Sequence, residues 1–188
     1  MKIVYTFLAV TLANFLFSES LLFKNASVYT GNADEVLEDH DIYVVNGKIV
    51  EINKDLDLSA DKIINAEGKI ITAGFISPYS HLGLVEINML AETRDDSSSV
   101  YSAGFSISQA FNPSSTLIPY NLNGGLTLAI STPSGNGLFS GLGSAFSLSG
   151  ENKSLLLKDL ALYGSIEAGG ESKAANLLLM EDIFELTR

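Results

Sequence analysis

The sequence predicts an α+β fold, on three observations. Short stretches that alternate apolar and polar residues fill 21–30, 41–45, 48–53, 62–65 and 69–72, the period expected of half-buried strands. A sparser series follows, with the apolar pair Phe75-Ile76, a continuous apolar strand from Gly125 to Thr132, and long irregular chain between them. The last stretch, 171–186, sets Ala174, Leu177, Leu178, Ile183 and Leu186 near helical spacing, so the chain ends on an amphipathic helix.

Taken in order, the first element is a leader. Lys2 precedes the apolar run Ile3 to Phe17, and Ser18-Glu19-Ser20 then puts small residues at the two positions a signal peptidase reads. Residues 1–20 are therefore expected to be a signal peptide cut after Ser20. A membrane-spanning helix needs about 20 apolar residues; this run is shorter and contains Thr6, Thr11 and Asn14, so no stable membrane span is expected after cleavage. With a single lysine in the leader and no cysteine in the chain, a bacterial periplasmic or secreted destination fits best.

Within the first run of strands, Asn46-Gly47 separates Ile42-Tyr43-Val44-Val45 from Ile49-Val50-Glu51-Ile52. Both central residues of a type I′ turn need positive φ, which Asn-Gly tolerates best, so a β-hairpin is predicted there. Beyond Gly74 a strand at Phe75-Ile76 passes into a loop from Ser77 to Gly83, residues 84–91 read as a short helix, and 95–115 read as loop. Residues 125–132 call for neighbours on both sides, and the Gly- and Ser-rich stretch 137–150 suits a hairpin excursion.

The 188 residues suffice for one ordinary domain but hardly for two full ones. A formal net charge of -11 excludes nucleic acid as a partner, since binding a polyanion requires Lys and Arg to displace condensed counterions. With no cysteine there is neither a disulfide framework nor a thiolate nucleophile, and any metal must be held by histidine and oxygen.

Residues 68–83, Gly-Lys-Ile-Ile-Thr-Ala-Gly-Phe-Ile-Ser-Pro-Tyr-Ser-His-Leu-Gly, resemble the signature of metal-dependent amidohydrolases of the imidazolonepropionase and dihydroorotase type. In that family a Gly-Lys pair, an apolar pair and a Pro-Gly lead into the first barrel strand, which ends in Asp-x-His-x-His. The upstream hairpin fits the small composite β-sandwich that opens these enzymes. The stretches 110–113, 124–127 and 169–176 resemble the course through the second barrel strand and helix. With the signal peptide at 1–20, the resemblance thus implies a β-sandwich lobe at 21–74 and, at 75–188, the first strands and helix of an incomplete (β/α)8 (TIM) barrel.

Laid on the motif, Ser77 stands where the Asp belongs, Tyr79 holds the degenerate first-His position, and His81 alone matches the second His. The family's zinc or other divalent metal would find at His81 only a vestigial ligand, because a catalytic zinc keeps about three protein ligands and an open position for water. His40, among Glu38, Asp39 and Asp41, reads as a solvated loop histidine, and Glu86, Glu92, Asp95 and Asp96 read as solvated acids beside Ser-rich loops. Ser80 next to His81 is no nucleophile and base pair, since strand neighbours point to opposite faces. No catalytic residue and no cofactor-binding residue is therefore assigned.

The resemblance implies descent from enzymes that hydrolyse C–N bonds in amides or cyclic amides. The degenerate motif implies a truncated, inactive member. The alternative is a non-catalytic or complementing subunit that pairs with a separately encoded remainder of the barrel, or a homo-oligomer, because an open parallel edge needs cover.

Overall fold

A computed structural model describes residues 19–32, 36–135, 137–149 and 154–187. Of the expected leader, only Glu19 and Ser20 lie within the described residues. The chain divides into two compact units, Met1–Ala73 and Gly74–Arg188. Both are mixed β-sheets with few helices, as the α+β reading requires. No helix among the described residues is long and apolar enough to cross a membrane.

The first unit is a five-stranded sheet of β1 (Ser20–Tyr29), β2 (Val36–Val45), β3 (Lys48–Asn53), β4 (Lys62–Asn65) and β5 (Ile70–Thr72). The order is β3-β2-β1-β4, with β5 pairing the far end of β1. β2 runs antiparallel to β1, while β4 and β5 run parallel to it. The turn between β2 and β3 has Asn46 at φ 52° and Gly47 at φ 72°, the left-handed pair that the hairpin reading demands.

Two irregularities shape β1 and β2, each centred on a polar residue with positive φ: Asn25 at 61° and Asp39 at 56°. The extra residue at Asn25 shifts the side-chain alternation, so Phe23 before it and Ala26 and Val28 after it all line one core with Ile42 and Ala66. Asp41 holds this bulge. Its carboxylate is 0% exposed and accepts from Lys24 Nζ at 2.6 Å, Asn25 N at 2.9 Å and Leu56 N at 2.8 Å.

The second unit is a four-stranded sheet in the order β6-β7-β8-β9, from β6 (Phe75–Ser80), β7 (Leu126–Ser131), β8 (Phe139–Ser147) and β9 (Leu155–Gly164). β6 and β7 are parallel and joined by a crossover that carries α1 (Leu117–Asn123); the remaining pairs are antiparallel. β7 is thus flanked on both sides, as its unbroken apolar run requires. Leu84, Val85, Ile107 and Phe146 form one buried cluster and Ile118, Ala129 and Leu148 another, with Phe111 packed on both. The ring of Phe111 stacks on Phe146 at 3.8 Å between centroids. The chain ends on α2 (Lys173–Leu186), capped by Ser172 Oγ accepting from Ala175 N.

Several local expectations need correction. β6 continues through Ser77 to Ser80, so the expected loop is half strand. Residues 84–91 are not helical: Leu84 and Val85 N–H both donate to the His81 carbonyl, and Glu86 and Asp95 pair back across the loop with Thr93 and Leu84. Only a short 3-10 turn, Ala91–Thr93, forms there. The excursion at 137–150 is no hairpin of its own but one strand, β8, whose partner β9 was not anticipated. His40 lies in β2 opposite Ala26 rather than in a solvated loop. Finally, α2 buries only Asn176 among its described residues and leaves Leu177, Leu178, Leu179, Phe184 and Leu186 exposed.

Candidate functional site

The site lies in the second unit, where the parallel strands β6 and β7 end. Ser77 and Tyr79 alternate along β6, and His81 follows its last residue. Thr132, the residue after β7, sends its backbone N–H and its hydroxyl to the Ser80 carbonyl at 2.9 and 3.2 Å, which locks the two strand ends together.

His81 Nδ1 stands 3.0 Å from the Thr132 carbonyl oxygen. A carbonyl can only accept, so Nδ1 carries the proton and Nε2 is the nitrogen left with a lone pair. The ring is 33% exposed, and its edge meets the Tyr79 ring at 5.7 Å and 75°. Tyr79 in turn tilts against Tyr163 of β9 at 6.1 Å. The Tyr163 ring fits over Gly143, where any β-carbon would stand 2.4 Å from it. Burial raises the Tyr163 phenol above its usual range, and the neighbouring Tyr79 adds to the effect, so it stays protonated at neutral pH.

Asp96 was read as a solvated acid and is instead 0% exposed. Arg94 grips both its oxygens, with Nε 3.2 Å from Oδ1 and Nη2 2.8 Å from Oδ2, while Ser134 Oγ donates to Oδ2 at 2.6 Å. Burial pushes this carboxyl up, but the Arg94 and Ser134 hydrogen bonds and the Arg94 charge together outweigh it and hold Asp96 below the usual carboxylate range. Asp96 Oδ2 lies 3.8 Å from His81 Nδ1, beyond a direct hydrogen bond. The spacing Arg94-x-Asp96 was the one available sign that this acid is paired. Nothing local in the sequence pointed to Tyr163, which reaches the site through strand pairing.

The other candidates do not converge on His81. Glu86 accepts from Asn112 Nδ2 at 3.3 Å, Glu92 and Asp95 are exposed, and His40 belongs to the first unit, its Nδ1 2.8 Å from the Glu38 carbonyl. Among the described residues no three of His, Cys, Asp and Glu gather to hold a metal ion. The donor set has the same shortage: one imidazole nitrogen, the Tyr79 phenol in place of a second imidazole, and a carboxylate already taken by Arg94 and Ser134. These residues do not fit the three or four ligands of a zinc site.

No family model matches the chain. It is 41% identical over 73 residues to a 5-methylthioadenosine/S-adenosylhomocysteine deaminase of Thermococcus sibiricus, a match that covers 39% of this chain and 17% of that protein. It is 36% identical over 70 residues to an imidazolonepropionase of Klebsiella pneumoniae, covering 35% of this chain and 17% of the relative. The chain therefore spans about a sixth of the length of these curated relatives. In fold it is similar to an amidohydrolase of Thermotoga maritima, with a TM-score of 0.70 at 22% identity, covering 88% of this chain and 46% of that one. These likenesses, in sequence over less than two fifths of the chain and in fold over most of it, match an N-terminal fragment of the amidohydrolase superfamily.

Proposed function

We propose that this chain supplies the β lobe and the opening strands of an amidohydrolase barrel, is exported, and by itself does not hydrolyse amides. The observation that carries the reading is the motif histidine at the end of β6 with too few ligands around it. His81 offers Nε2, but Tyr79 and Ser77 occupy the motif positions where a second imidazole and a carboxylate would stand. In a complete site the metal activates water and polarises the carbonyl. What this chain's own residues do is orient one imidazole through the Thr132 carbonyl and keep it under an aromatic cover.

A complementing role has its own support. β6 and β9 are the two edges of the second sheet, and both carry exposed apolar residues: Phe75, Ile76 and Tyr79 on one, Leu156, Leu157 and Leu160 on the other. Together with the exposed leucines of α2, these faces favour cover by further barrel strands, in a second polypeptide or another copy of this chain.

The test is turnover. Purified chain supplied with zinc should hydrolyse simple N-acyl amides and dihydroorotate-like cyclic amides no faster than the buffer does. Steady release of product proportional to protein, abolished by His81→Ala, would defeat the reading.

A further inference from the structure

Resting on the export reading above, we infer that Glu19 and Ser20 are retained by the mature protein, and that the leader is cut on the N-terminal side of Glu19 rather than after Ser20. The small residues at Ser18 and Ser20 made a cut after Ser20 the expectation from sequence. The folded lobe uses both residues that such a cut would remove.

Ser20 is the first residue of β1, paired with Val45 of β2. Its backbone N–H and its hydroxyl both donate to Asp61 Oδ2, at 2.8 and 2.7 Å, and Asp61 N donates back to Ser20 Oγ at 2.9 Å. This closed pair ties the start of β1 to the residue just before β4. Glu19 is used as well: its carbonyl accepts from Asn46 N at 2.9 Å, which closes the β1–β2 ladder where the hairpin turn begins. The side-chain and backbone bonds from Ser20 also hold the Asp61 carboxyl below its usual range.

A cut after Ser20 removes all four of these hydrogen bonds. It also creates an α-ammonium group at Leu21, a residue paired on both sides, with Val44 of β2 and Lys62 of β4. A cationic terminus would then sit within the interior strand of the sheet, where the native chain carries a neutral amide. Cutting before Glu19 avoids both effects; it puts small Ser18 at one of the two positions a signal peptidase reads and Leu16 at the other, so the folded lobe rather than the leader pattern favours it.

The experiment is to produce the full chain in a Gram-negative host, recover the periplasmic fraction, and determine the N-terminus by intact mass and terminal sequencing. An N-terminus at Glu19, or upstream of it but past Met1, is expected. A dominant N-terminus at Leu21 or beyond overturns the inference while leaving export standing; an intact Met1 with no periplasmic material overturns both. As a second measurement, the form beginning at Leu21 should melt about 2–4 °C below the form beginning at Glu19. Equal melting temperatures would show that the four bonds do not matter to the lobe, and the inference fails.

Discussion

Replacing Asp41 by Ala should destabilise the β lobe by about 3 kcal/mol, read as a shift in the midpoint of its denaturant or thermal unfolding. The carboxylate is the shared acceptor for the Lys24 ammonium and for the N–H groups of Asn25 and Leu56, so its loss takes this acceptor from both N–H groups and leaves Lys24 with only the Leu56 carbonyl. Lys24 is 29% exposed and recovers some hydration, which keeps the cost at the lower end of the range for breaking a buried pair. Burial pushes the Asp41 carboxyl up, but the Lys24 hydrogen bond, the Asn25 and Leu56 N–H groups and the Lys24 charge together hold it below the usual range. A carboxyl lowered in the folded state gives stability that is fully present above its unfolded value of about 3.9 and is lost as pH falls through the folded one. The wild-type lobe should thus weaken on acidification below about pH 4, and Asp41→Ala should flatten that dependence. An unchanged midpoint in the variant would mean that the bulge at Asn25 is held by other contacts.

The second large effect belongs to Asp96. Asp96→Ala should cost about 3 kcal/mol in the second unit, because it removes the acceptor of Arg94 Nε and Nη2 and of the Ser134 hydroxyl, leaving Arg94, 30% exposed, with only Asn88 on its Nη1. Arg94→Ala should cost a similar amount by leaving the buried carboxylate with no cation and only the Ser134 hydroxyl. The double variant should be little worse than either single one, giving a coupling of about 2 kcal/mol in a double-mutant cycle on thermal or denaturant unfolding. Simple addition of the two single effects would mean that the pair is not the clasp between residues 94–96 and Ser134.

What the sequence disclosed and what it hid divide along physical lines. The β2–β3 hairpin was legible because Asn46-Gly47 is a local code: two residues that accept positive φ, between two alternating runs. β4 was legible for the same kind of reason, since Lys62–Asn65 alternates and is bounded by polar turns. α2 could be read from its spacing, but its spacing also promised a buried face, and the described leucines remain exposed. β9 was hidden because Leu155-Leu156-Leu157 has no alternation. Asp159, at φ 52°, then interrupts the strand with an irregular step, its N–H on Ser144 Oγ and its carboxylate accepting from Ser106 Oγ. β8 was mistaken for a hairpin because its glycines looked like bends. In fact Gly141, at φ 132°, lets the strand pass close to the Phe105 backbone, and Gly143 makes room for the Tyr163 ring.

The site was partly legible in the same sense. His81 was placed by its motif at the end of an apolar strand, and the strand is there. The hydrogen bond to Thr132 and the Tyr163 ring against Tyr79 were not legible, because they arise only through pairing of β6, β7, β8 and β9, separations that no local pattern carries. Asp96 shows the opposite failure: composition made it part of a solvated acidic loop, whereas Arg94 two residues away and the distant Ser134 together pair it at a buried position.

The central claim is that His81 stands in an amidohydrolase motif whose remaining ligands this chain does not gather. It is tested most directly by zinc content after exhaustive dialysis, measured by elemental analysis on the wild type and on Tyr79→His. Both should retain far less than one zinc per chain. The variant should gain only modestly, because it restores a second imidazole while a tight site needs three or four well-placed ligands. Near-stoichiometric zinc in the wild type would contradict the account.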